Sequence, residues 1–178
     1  MFETVLDFWF KEISPKQWWV KDTAFDQLIS KRFKALLQQA AAAELNAWRS
    51  TAHGRLAEII VLDQFSRNIY RDTPAAFSQD AMALVLAQEA VNAKALHELN
   101  ADERNFLLMP YMHSESVVIH AQAEQLFKQF APAANYEFEL KHKVIIDRFG
   151  RYPHRNSILA RPSTAEEAAF LLQPGSGF

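Results

Sequence analysis

No cysteine occurs in the 178 residues, which excludes disulfides, thiol nucleophiles and thiolate zinc sites. Glycine and proline are scarce, with 4 and 7 residues. Ala, Leu, Gln and Glu instead come in runs, a balance that favours helices over sheet. An excess of positive charge is lacking too. The formal net charge of -2 leaves none of the basic footprint of a general nucleic-acid binder. No apolar run approaches the roughly 18 residues that read as a membrane span. The opening MFETVLDFWFKE has no basic region, and Asp7 interrupts its short apolar run, so it does not read as a secretion signal. A cytoplasmic address is expected, with neither nucleic acid nor membrane as partner.

What is present is apolar and aromatic. Hydrophobic residues make up 49% and aromatics 12% of the chain, enough for one domain over residues 1–178 with a real core. Residues 173–178, ending in PGSGF, read as a loosely held tail, although Phe178 can tuck back.

The most informative stretch is 56–71, LAEIIVLDQFSRNIYR. Wound as a helix, it places Leu56, Ile59, Ile60, Asp63, Arg67 and Tyr70 on one face. The opposite side carries Val61, Leu62, Phe65 and Ile69, so the helix should be enclosed. Enclosed charges are costly unless paired and hydrogen-bonded. Asp63 and Arg67, one turn apart, can pair, with Gln64 and Asn68 alongside.

In chain order, a short apolar helix over 2–11 is followed by a restart at Ser14-Pro15, then Trp18 and Trp19, read as packing surface. Thr23 with Asp26 resembles a capping box for a helix through about 44. Trp48 and Ser50 mark a connection. Thr73 is a plausible cap before Pro74, and 81–95 is a plain helix with nothing chemical in it. Asn100 caps a short helix that runs into Met109-Pro110. A helix over 114–131 closes at Pro132, and Asn135 caps the next, which ends at Gly150 in a left-handed terminator. Pro153 forces an extended connection, and Ser163 with Glu166 forms a capping box for a last short helix. About seven antiparallel helices make an all-α domain.

Two further helices place polar groups on apolar stripes. Over 114–131, Glu115, Val118, Ile119, Gln122 and Leu126 share a face, while His120 and Glu124 lie away from it and read as solvated. His113-Ser114-Glu115 then opens the helix, where free N–H groups and the dipole favour an anion; equally, Ser114 caps the helix and Glu115 complements its dipole. Over 136–150, Tyr136, Leu140, Val144, Asp147 and Arg151 align, repeating the Asp/Arg spacing of Asp63 and Arg67. Between 141 and 161, Lys141, Lys143, Arg148, Arg151, Arg155 and Arg161 face one acid, Asp147, with His142 and His154 adding potential charge. Such an excess suits phosphate or carboxylate, or else partners for buried acids. His113, Glu115, His142 and His154 lack any tight metal-ligand spacing, so no metal is expected. Ser114, His113 and Asp63 can be written as a triad, but no GxSxG elbow supports it.

VLDFWF at 5–10, LDQFSRNIYR at 62–71, PYMHSE at 110–115, RFGRYPHRN at 148–156 and STAEEAAFL at 163–171 together resemble a bacterial family known as domain of unknown function 924. The resemblance covers nearly the whole chain in order. It implies an all-helical, tetratricopeptide-repeat-like fold and no established activity, although the chain shows no 34-residue consensus repeat. It also marks Asp63, Gln64, Arg67, Asn68, Arg71, His113, Glu115, Gln122, His142, Arg151, His154, Arg155 and Asn156 as recurrent polar positions.

Three functional readings stand. The first is a pocket for a small anionic ligand, lined by Asp63, Arg67, Gln122, Asp147, Arg151, His154 and Arg155, with His113 and Glu115 as acid/base candidates and no cofactor. The second is a helical scaffold whose groove takes a peptide or protein. The third is a buried structural network. In the sharpest form of the first, helices 56–71, 114–131 and 136–150 converge on one cavity shared by Asp63, Arg67, Glu115, Gln122, Asp147 and Arg151.

Overall fold

The architecture is organised around a single buried rod. A computed structural model describes residues 1–177; Phe178, and with it the expectation that it tucks back, lies outside the described residues. Among the described residues there are helices and turns and no strand. The helices are α1 (Phe2–Asp7), α2 (Thr23–Ala41), α3 (Ala52–Ile60), α4 (Ser66–Ile69), α5 (Asp80–Asn92), α6 (Ala101–Met112), α7 (Val117–Phe130), α8 (Ala133–Phe149) and α9 (Ala165–Leu171).

The rod is α3 and α4 joined by a π-helical turn over Val61–Phe65. Every residue from 56 to 66 in it is buried, as its two apolar faces require. α1, α5 and α6 pack on α3, and α2 packs on the π turn and on α4. The later helices stack in chain order, α5 on α6, α6 on α7 and α7 on α8. With only Ala131 and Pro132 between α7 and α8, those two must run back against each other. The result is the tetratricopeptide-like helical array.

Local chemistry explains most boundaries, sometimes through a different residue than expected. Asp22, not Thr23, caps α2, accepting from the N–H groups of Ala24 and Phe25. Asp26 is withdrawn from that end by Asn68 of the rod and by Arg71 just beyond it. Asn100 and Glu103 form a reciprocal capping box for α6, which then runs through Pro110 to Met112. Ser116, not Ser114, caps α7, so Glu115 lies outside that helix. Pro132 precedes α8, and Asn135 sits inside it. Thr164 and Glu167 form the last box, one residue beyond the expected one. Gly150 ends α8 at φ 68°, as expected. Gly54 was not anticipated: a Cβ there would stand 2.0 Å from the Trp48 carbonyl oxygen. That close approach seats α3 on the turn Asn46–Ser50, where Arg49 grips the buried Glu58 with two bonds of 2.7 Å.

Trp18 does serve packing. Its indole N–H donates to the Trp9 carbonyl, and its ring lies 4.9 Å from that of Phe106. Trp19 stacks on Phe106 but keeps more than half its surface exposed.

Candidate functional site

The polar cluster starts inside the buried rod. Asp63 lies in the π turn, a wider coil often found where a helix re-aims a functional side chain. Its carboxylate is fully buried, and of the expected neighbours Gln64 and Arg67 are present, whereas Asn68 turns away to Asp26. His113 Nδ1 stands 2.7 Å from Oδ1, and the Gln64 amide donates to Oδ2 at 2.6 Å. Arg67 Nη1 lies 3.1 Å from Oδ1 and donates to the Asp63 carbonyl at 2.8 Å. Burial alone would push the Asp63 carboxyl upward. Arg67, His113 and Gln64 overcome it and hold the group well below the usual carboxylate range.

An unexpected acid completes the cluster. Asp80, the first residue of the helix that seemed to carry no chemistry, receives Arg67 through two bonds of 2.9 and 3.1 Å. It also receives Arg155 Nη1 at 3.2 Å. Arg155 Nη2 donates to the His113 carbonyl at 3.1 Å. The Phe77 ring covers both guanidinium groups, 4.6 Å from that of Arg155 and 5.7 Å from that of Arg67, and Tyr152 stacks on Arg155 from 4.8 Å. A helix-initiating Asp commonly complements the dipole, which is why its sequence position alone says nothing of a second role.

His113 is the titratable ring of this arrangement. Burial lowers its pKa first, Arg67 lowers it further, and Asp63 offsets only part of this, so the ring is neutral at pH 7. With Asp63 ionised, the proton sits on Nδ1, and Nε2 carries the lone pair. Nε2 makes no hydrogen bond among the described residues, and the side chain keeps 13% of its exposure, so the lone pair has an outlet. Burial and the Arg67 charge also press the Arg155 guanidinium downward. Its Nε is buried without a hydrogen-bond partner among the described residues.

Behind this cluster lies a second buried pair. His120, expected in solvent, is wholly enclosed, with Nδ1 2.7 Å from Glu139 Oε1. Its Nε2 lies 2.9 Å from the Ser114 carbonyl and 3.1 Å from the Tyr152 hydroxyl. His142 and His154 are ring neighbours of the same tyrosine. Burial lowers both histidines, to about 3 and about 4. Glu115 makes no hydrogen bond to the His113 ring among the described residues. It accepts two bonds from Arg161, at 2.6 and 2.9 Å, and the Tyr152 N–H at 2.7 Å. Burial raises its pKa, but Arg161 and the Tyr152 amide reverse this and leave it below the ordinary value.

The single cavity shared by three helices is not formed. Gln122 is exposed, because the buried face of α7 carries His120, Ala123 and Phe127; Glu115, taken as the start of that face, is not helical. Asp147 is 41% exposed and pairs back with Lys143. Arg151 lies beyond the left-handed turn at Gly150, so the wheel that aligned it with Asp147 no longer applies. It binds Glu167 through two bonds of 2.7 and 2.9 Å, and so pins α9. Asp63, Arg67, His113 and Arg155 do converge, and His154 is a close neighbour. No group of three or more His, Asp or Glu residues suited to a metal ion occurs among the described residues. An open groove of about 460 Å³ is lined by Phe2, Leu6, Phe10, His53 and Glu103 among others, and none of the cluster residues reaches it.

Residues 5–175 match the family described as "Bacterial protein of unknown function (DUF924)". The chain belongs to this family. A solved structure, a protein of unknown function (ATU0120) from Agrobacterium tumefaciens, is similar with a TM-score of 0.91 at 34% identity, covering 96% of each chain. No curated protein matches. No helix among the described residues is long and apolar enough to cross a membrane.

Proposed function

We propose that this DUF924 member binds a small carboxylate or phosphate at Arg67 and Arg155, with His113 as the group that moves a proton to or from it. The observation that carries the reading is the Asp63–His113 pair, whose Nε2 is unengaged among the described residues, in a cluster where Arg67 meets Asp63 and Arg155 meets the His113 carbonyl. A carboxylate on Nδ1 holds an imidazole in one tautomer and stabilises the imidazolium that forms when Nε2 accepts a proton. The arginines supply the counter-charge that holds an anionic ligand against that nitrogen. Glu115, already engaged by Arg161, is better suited to anchoring the 152–161 segment that carries Arg155. The supporting arginine excess between 141 and 161 is therefore divided, with only Arg155 reaching the cluster.

The test is thermal melting of wild type, Arg155→Met and His113→Gln with inorganic phosphate, acetate and oxalate. A ligand at about 100 times its Kd raises stability by about 2.7 kcal/mol. A shift in wild type that Arg155→Met abolishes supports the site. Equal shifts in wild type and Arg155→Met would place anion binding elsewhere and end the reading.

A further inference from the structure

We infer that Asp80 is a built-in placeholder for the ligand's anionic group, occupying the arginine seat until a carboxylate or phosphate displaces it. The inference rests on the anion-binding reading and names what regulates that site.

Three observations carry it. The Asp80 carboxylate already sits as a bound anion would, taking two bonds from Arg67 and one from Arg155. It nevertheless leaves Arg155 short. That side chain is 7% exposed, meets no other carboxylate at ion-pair distance among the described residues, and donates to Asp80 through one nitrogen at 3.2 Å. Its Nε, buried, has no partner among the described residues. A desolvated guanidinium with an unused donor is costly, and a ligand with more oxygens than one carboxylate can present to both arginines would satisfy it better. Arg67, by contrast, keeps Asp63 at 3.1 Å when Asp80 leaves, so displacement strands no arginine without a counterion once the ligand arrives.

The segment that leads to Asp80 is held by few buried side chains. It leaves α4 through Asp72 at φ 59°, a conformation uncommon for a residue with a side chain. It then runs extended through Thr73 into Pro74. Between 72 and 79 only Ala76 is buried, and Phe77 is held mainly as a roof over the two guanidinium groups. Withdrawing 74–80 would open the arginine seat and uncover it in one step, as substrate-gated lids do.

Titration calorimetry of wild type, Asp80→Asn and Asp80→Asn/Arg155→Met with inorganic phosphate and with acetate tests this. Asp80→Asn should bind at least about tenfold more tightly than wild type, and the double variant should lose the gain. Binding by Asp80→Asn where wild type shows none supports the placeholder equally. If Asp80→Asn binds no tighter than a wild type that binds through Arg155, the placeholder is wrong and the anion site stands. If neither binds, both fail. A gain that survives in the double variant lies at another seat and also overturns the inference. Hydrogen exchange of wild type covers the case in which Asp80→Asn does not fold. Saturating phosphate should accelerate exchange over 72–80 while protecting 61–67, whereas unchanged or slowed exchange over 72–80 would show Asp80 staying in place.

Discussion

Two buried carboxylate–histidine pairs lie close together in this fold, and they differ in two respects. In each, a histidine Nδ1 stands 2.7 Å from a fully buried carboxylate. Beside Asp63 stands Arg67, which holds the acid ionised and discourages a second charge on His113. Glu139 has no arginine, and burial raises its pKa despite His120. The far nitrogens differ as well. His120 Nε2 faces the Ser114 carbonyl, which can only accept, so that nitrogen carries a hydrogen and is spent. His113 Nε2 is unengaged. The lesson is that the pair itself does not signal function; the unfilled valence and the neighbouring cations do. His120–Glu139 ties α7 directly to α8, while Asp63–His113 joins the rod to the C-terminal end of α6 and leaves one ring nitrogen open among the described residues.

The largest effect should come from removing the acid that an arginine depends on. Asp63→Ala leaves Arg67 and His113 without their buried partner and should cost about 3–5 kcal/mol, read from urea unfolding midpoints. A loss below about 1 kcal/mol would mean Asp80 alone sustains Arg67.

Swapping the two histidines for glutamine separates the pairs directly. His120→Gln should cost about 2–3 kcal/mol, because it leaves Glu139 and the Ser114 carbonyl poorly satisfied in a dry site. His113→Gln, at the partly open end, should cost about 1 kcal/mol and abolish any proton transfer. Equal losses in chemical denaturation would erase the distinction drawn here.

The pH dependence should follow the depressed histidines. Their folded pKa values lie below the unfolded value of 6.5, at about 4 for His154 and about 3 for His142. Between pH 4 and 6.5 the unfolded chain therefore binds protons that the folded chain refuses. The contribution of these two histidines must rise with pH across that window, by up to about 1.4 kcal/mol per pH unit for each, while Glu139, whose pKa is raised from 4.5, contributes in the opposite sense. Asp63, with its pKa lowered from 3.8, adds stability that is lost only as pH falls below that range. His154→Gln should reduce the slope by about one proton, and an unchanged slope would remove His154 from the account.

The smallest effects should come from the residues that only seemed to belong to the site. Gln122→Ala and Asp147→Ala should each change stability by less than about 0.5 kcal/mol and leave phosphate binding untouched. A loss of binding in either would restore the shared cavity.

The sequence by itself determined the helical class, the enclosed rod and the pairing of Asp63 with Arg67, because these are short-range. Apolar periodicity sets which face is buried, and a four-residue separation sets which charges can meet. Asn100 and Gly150 were legible for the same reason. Only the tertiary structure decided which long-range partners those buried charges take. Asp80 joins Arg67 and Arg155 across 13 and 75 residues, and His120 joins Glu139 across 19. A histidine on a helix reads as polar and solvent-facing until a carboxylate from another helix is placed against it. Wheel arguments also fail where the wheel ends: Arg151 is cut from Asp147 by one left-handed glycine, and Glu115 from Gln122 by a cap two residues later than expected. A residue at i and one at i+4 share a face only while the helix continues between them, and where it continues is decided by capping and packing together.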